Sequence, residues 1–188
     1  MSGKANKISY KLDEHNLSRM KELERSIYDG TGYTGMQHYT SWQGISHYCQ
    51  CAENEVRLMM GEDWYVLIAE HDRYIEIVDL ASLNKKMNLF VVMDYLKTFE
   101  KPMFFDAREK TSYRLVQALS RCKKIDIARD MTYSWNGEPF HEIVMIPTGM
   151  GISIDRQELR RMFPDDDEDE DVSDDANVAS SGGMGSGF

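Results

Sequence analysis

Asp106-Ala107-Arg108-Glu109-Lys110-Thr111-Ser112-Tyr113 brings two carboxylates, two cations, two hydroxyls and a phenol into one short stretch. Before it stands the apolar run Met103 to Phe105, and after it Leu115, Val116 and Leu119 recur at helical spacing. A strand entering a helix there would offer free N–H groups to an anion and polar side chains to a substrate. The same residues also suit a capped helix, with Thr111 or Ser112 accepting an orphan amide and Arg108 pairing with a carboxylate, together contributing about 1–2 kcal/mol. Both readings stay open on the residues alone.

Further candidates are scattered. Lys85 and Lys86 precede the apolar segment Asn88 to Phe99, where charge and helix dipole could attract a phosphate or the lysines could be solvated. Glu70 and Glu76 fall within strand-like stretches and Asp79 near the end of one; each could accept a proton or form a salt bridge. Cys49-Gln50-Cys51 with His47 or His38 has no second ligand pair at metal-binding spacing, so no metal is expected, and His141 reads as a packed histidine. There is no G-x-S-x-G elbow, Walker loop or H-E-x-x-H.

The elements that must position these groups follow from periodicity. Ile8 to Leu12 alternates as a first strand, and Leu17, Met20, Leu23 and Ile27 mark a helix over Asp13 to Ile27. Tyr28 to Gly44 is a Gly- and aromatic-rich loop, and Ile45 to Cys51 is a strand candidate. Trp64 to Glu70 and Arg73 to Leu80 form an antiparallel hairpin; Asn88 to Phe99, apolar on almost every side, predicts a helix buried against a sheet. Met103 to Phe105 and Lys110 to Cys122 give strand and helix. Ile125 to Trp135 and Pro139 to Ile146 then pair through Asn136-Gly137, whose residues tolerate positive φ. Asp155 and Glu158 resemble a capping box for a last helix that Pro164 ends.

Charge separates the chain into two parts. The formal charge is −10, and Asp165 to Asp171 with Asp174 and Asp175 supplies nine acidic residues, leaving the remainder near neutral. We expect a globular domain over 1–164 and a disordered acidic, Gly/Ser-rich tail over 165–188, too poor in apolar residues to offset its ordering entropy. A neutral core gives no basic stripe for nucleic acid, so nucleic acid is not an expected partner; the tail could dock on a basic protein. Three cysteines without framework spacing fit a reducing compartment, and no apolar run approaches the roughly 20 residues of a membrane span, so a cytoplasmic protein is expected.

The element order, together with FFDAREKTSYRLVQALSR and KIDIARDMTYSWNGEPFHEIVMIP, resembles the GNAT superfamily of N-acetyltransferases, and in particular the short GNAT-like proteins of bacteriophages. The resemblance implies an α+β fold whose mixed, mostly antiparallel sheet is flanked by helices. It implies transfer of an acetyl group from acetyl-CoA to a small-molecule or protein amine, or a GNAT-fold phage accessory or virion-associated protein without catalysis. The implied setting is the bacterial host cytoplasm or the virion.

In that family acetyl-CoA lies between two splayed strands, and a Q/R-x-x-G-x-G/A loop cradles the pyrophosphate. The equivalent connection here, Ala81 to Asn88, has no glycine, so the loop is degenerate; Ser82, Asn84, Lys85 and Lys86 are its candidate contacts. Arg108, Thr111 and Ser112 would meet the cofactor from the other side. Tyr113 takes the place of the general acid, although the family's acid usually lies further along that helix, and Glu76 or Asp79 that of the base.

Overall fold

A computed structural model of the chain describes residues 8–10, 12–28, 39–83 and 89–163. The chain divides into two compact units, Met1–Ser153 and Ile154–Phe188. In the second, helix α5 (Arg156–Met162) starts at Asp155, whose carboxylate accepts the Glu158 amide at 2.7 Å, as the capping signal predicts. The predicted tail, 165–188, lies outside the described residues.

The first unit is built on a six-stranded sheet in the order β1-β2-β3-β4-β6-β5. Its strands are β1 (Val56–Met60), β2 (Trp64–Glu70), β3 (Ile75–Ser82), β4 (Met103–Arg108), β5 (Ile125–Trp135) and β6 (Glu138–Pro147). Only β3 and β4 run parallel; the other neighbours are antiparallel. The long connection between β3 and β4 carries helix α3 (Leu89–Lys97), which is what a parallel crossover requires.

Helices cover both faces. Val92, Met93 and Leu96 of α3 and Val116 of α4 (Ser112–Arg121) pack on Val66, Ile77, Met103, Phe105, Ile143 and Met145. On the opposite face, Leu17, Met20 and Leu23 of α1 (Glu14–Tyr28) join Trp42 and Ile45 of α2 (Trp42–Tyr48) over Leu58, Tyr65 and Leu67.

Several expectations need correction. In place of the strand expected over Ile45 to Cys51 stand the end of helix α2 and the turn after it: Ser41 caps α2 by accepting the Gly44 amide at 3.2 Å, and Trp42, Ile45 and Cys49 are buried at a spacing of three and four. A helix of seven residues is too short for its period to stand out. The first strand is reduced, among the described residues, to a bridge between Ser9 and Met60. Strand β1, which the periodicity reading passed over, fills that edge of the sheet. Helix α3 packs against the sheet as expected, through one face, while Phe90 is 65% exposed beneath the Lys124 ammonium.

Two features position the site. The turn between β5 and β6 is the predicted one: Asn136 and Gly137 have φ of 52° and 76°, and the pairing closes at Trp135 and Glu138. Strand β4 runs three residues past Phe105, so Asp106 and Arg108 belong to the sheet and not to a loop.

Candidate active site

Pairing between β3 and β4 covers Ile75–Met103, Glu76–Phe104 and Ile77–Phe105 and then stops, although β3 continues to Ser82 and β4 to Arg108. Beyond that vertex the two strands diverge. Val78, Asp79 and Leu80 line one wall of the resulting cleft, and Phe105, Asp106 and Arg108 the other; Thr111, Ser112 and Phe140 close its end. About 390 Å³ of space, continuous with solvent, lies between them. A split parallel pair leaves facing backbone edges for an extended ligand with amides of its own, and it does so at the carboxyl ends of the strands.

The cleft is acidic at its base. Asp79 is buried and accepts the Tyr65 hydroxyl at 2.6 Å. Burial pushes its carboxyl up to about 6, against the lowering effect of the Tyr65 and Leu80 hydrogen bonds. Asp106 is likewise pushed up to about 6, by desolvation first and then by Glu142, while a hydrogen bond with Tyr133 opposes the shift. Part of the Asp106 side chain reaches solvent, so its proton can exchange through the cleft mouth. Tyr133 is raised in turn, by burial and then by Asp106. Because Asp106 pairs with Glu142, and Glu142 with Met131, the register places these side chains on one face of the sheet.

Glu76 sits one pair before the vertex. Ile75 and Ile77 point into the core beneath α3 and α4, so strand alternation turns Glu76 to the opposite face, where Asp106, Tyr48 and Cys51 feel its charge. Its Oε2 lies 3.0 Å from His71 Nε2.

The structure therefore brings together Asp79, Arg108, Thr111 and Ser112 around the cleft, while Glu76 lies on β3 just before it, on the face where Asp106 feels its charge. Arg108 reaches Glu138 at 3.4 Å and lies over the Phe140 ring, and the Ser112 hydroxyl accepts the Arg108 amide at 2.9 Å. The Thr111 side chain makes no capping bond, and Ser112 turns back to the strand, so the expected helix cap is replaced by a strand-to-helix clasp. Ser82 is at the far end of β3, opposite Trp64. Asn84, Lys85 and Lys86 lie outside the described residues.

Tyr113 is directed away from the cleft. Its ring stacks on His141 at 3.5 Å, and its hydroxyl donates to Asp130 Oδ2 at 2.6 Å. That bond, followed by desolvation, raises its pKa. Asp130 Oδ1 in turn lies 2.8 Å from His141 Nδ1, which ties α4 to β5 and β6. Hence His141, read as packed, is indeed buried, and it also carries a carboxylate partner, Asp130.

Sequence reasoning missed Glu142, Tyr133, His71 and Phe140. A signal for two of them was present. With Asn136-Gly137 closing the hairpin, strict register puts Tyr133 opposite Phe140. Nothing local says that β4 then lies along β6.

Among the described residues no helix is long and apolar enough to cross a membrane, and no group of three or more His, Cys, Asp or Glu could hold a metal ion. No family model matches the sequence, and no curated protein matches it. Solved structures do match in shape. A Bacteroides thetaiotaomicron protein assigned to the GNAT acetyltransferase family superposes with a TM-score of 0.54 at 11% identity, covering 83% of this chain and 92% of that one. The Salmonella typhimurium protein yncA, solved with its cofactor acetyl-CoA, gives 0.51 at 8% identity over 80% of this chain and 99% of its own. Mutant forms of the spermidine/spermine N-acetyltransferase SpeG from Vibrio cholerae give 0.50 at 13% identity, covering 82% and 99%. At such identities the likeness is one of architecture, and with the parallel pair split in mid-sheet it shows that this chain has the fold of the GNAT acetyltransferases.

Proposed function

We propose that this protein transfers an acetyl group from acetyl-CoA to an amine in the cleft between β3 and β4. The observation that carries the reading is the end of strand pairing at Ile77 and Phe105, which opens a polar cleft where strands that stayed paired would have none. The residues present fit the cofactor: the facing strand edges would suit the amides of its pantetheine arm, and Thr111 and Ser112, which line the end of the cleft, would be its contacts on that side. Bound acetyl-CoA supplies the activated thioester.

The chain's own residues supply the rest. Asp106 and Glu142 draw a cationic amine to the vertex, and Glu76, more open than Asp79, takes the proton the amine must lose before attack. Asp79 remains the buried support for Tyr65. Tyr113 receives no proton-transfer role, because its hydroxyl is held by Asp130, so the proton for the departing CoA thiolate comes from solvent at the open cleft. Calorimetric titration of the full chain with acetyl-CoA tests the reading: heat and a raised Tm are expected, and a flat titration at millimolar ligand overturns it.

The connection from Ala81 to Asn88 lacks glycine, and this favours a second reading, a GNAT fold without catalysis that acts as a phage accessory or virion protein through a protein partner. Pull-down with and without residues 165–188 tests it. Equal recovery removes the tail as the docking element.

A further inference from the structure

His71 follows the last residue of β2, and its backbone is fixed at two points. Its amide donates to the Tyr74 carbonyl at 3.0 Å, and its carbonyl accepts the Lys101 ammonium at 2.7 Å. The imidazole is fixed as well. The Tyr74 ring stacks on it at 4.4 Å with an interplanar angle of 18°. The Cys51 sulfur lies 3.6 Å from Nδ1 and 3.7 Å from Nε2. A sulfur so nearly equidistant from both nitrogens would overlap the carbon between them if it lay in the ring plane, so it sits over the ring face. With the plane held by ring and sulfur, one edge of the imidazole is aimed at Glu76, and Nε2 meets Oε2 at 3.0 Å.

We propose that His71 is the positioning residue of this site: its Nε2–H holds the Glu76 carboxylate in the orientation that receives the proton of the acceptor amine. An ionised carboxylate only accepts hydrogen bonds, so the pair requires the proton on Nε2. The bond occupies one carboxylate oxygen and leaves the other for the amine. A base placed on a sheet vertex is useful only when its free lone pair points into the cleft, and misplacement of a reacting group by about 1 Å can cost on the order of 100-fold in rate. Among the described residues, the titratable groups that feel the Glu76 charge or bond to it are His71 and Tyr74 at the β2–β3 turn, Asp106 on β4, Tyr48 and Cys49 at the end of α2, and Cys51. His71 is the one whose bond to Glu76 is built on a clamped ring.

This inference rests on the acetyl-transfer reading, and three forms of the full chain separate the two. His71→Phe keeps a flat ring against Tyr74 but has no donor. His71→Gln replaces the ring but restores a donor amide at the position of Nε2. Initial rates with acetyl-CoA are measured on a panel of spermidine, a lysine-containing peptide, an alanine-terminated peptide and an aminoglycoside, alongside acetyl-CoA binding by calorimetry. We expect His71→Phe to lower kcat by roughly 100-fold with an unchanged Kd for acetyl-CoA, and His71→Gln to recover most of the loss. Wild-type rates in His71→Phe, or equal losses in both variants, overturn the positioning role alone. No transfer by the wild-type chain to any of the four amines overturns the acetyl-transfer reading and this inference with it.

Discussion

Tyr65 on β2 donates a 2.6 Å hydrogen bond to Asp79 on β3, and the carboxylate that receives it is buried at the base of the cleft. A polar pair so placed holds the two strands together where β3 has already parted from β4. It also couples the stability of the fold to pH.

The direction follows from linkage. Burial raises the folded Asp79 carboxyl from 3.8 to about 6, so the native state binds a proton that the unfolded chain has released. Stability contributed by this group is complete below the unfolded value and is lost as pH rises through about 6. Asp79→Asn keeps an oxygen for Tyr65 without the buried charge. We expect it to raise stability at pH 8 by about 2–3 kcal/mol at most, with a correspondingly higher Tm, and to change little at pH 4. Thermal melts at the two pH values measure the difference.

Glu76→Gln preserves shape and removes the base. The expected result is a fall in kcat of about 100- to 10,000-fold, with acetyl-CoA binding unchanged. Parallel kinetics and calorimetry separate loss of chemistry from loss of the cofactor site.

For Tyr113→Phe the expectation is a transfer rate close to wild type. The variant deletes the bond to Asp130, so stability falls by about 1 kcal/mol. A large drop in kcat at normal stability would return the general-acid role to this tyrosine.

Gly137 occupies φ +76° in the β5–β6 turn, with nothing near the position of an added Cβ. Gly137→Ala therefore meets backbone strain without a clash, and a loss of about 1–2 kcal/mol is expected in denaturant melts. Loss of that turn would release the register that sets Tyr133 opposite Phe140 and Met131 opposite Glu142.

The fold was legible where local chemistry was strong. Apolar periodicity marked α1 and α4, the β2–β3 hairpin stood out by its β-branched runs, and Asn136-Gly137 announced the last turn with its register. Short elements were not legible. Seven residues of α2 carry less than two helical periods, and β1 offers only one polar residue to set a phase. In the site, the polar junction from Asp106 to Tyr113 was visible as a cluster, but its residues part company in space: Arg108, Thr111 and Ser112 line the cleft while Tyr113 turns to Asp130.

Residue order alone determined which chemical groups this protein owns, the alternation that sets Glu76 apart from Ile75 and Ile77, and the lack of glycine between Ala81 and Asn88. Those properties are local, since a strand's period and a turn's φ depend on neighbouring residues. Only the tertiary structure decided that β3 and β4 part after Ile77, that β6 brings Glu142 beside Asp106, and that His71 meets Glu76 across a turn. Each of these is a choice of partner between distant segments. Such choices rest on how whole faces of the sheet pack against α1 to α4, and no stretch of sequence read by itself contains that balance.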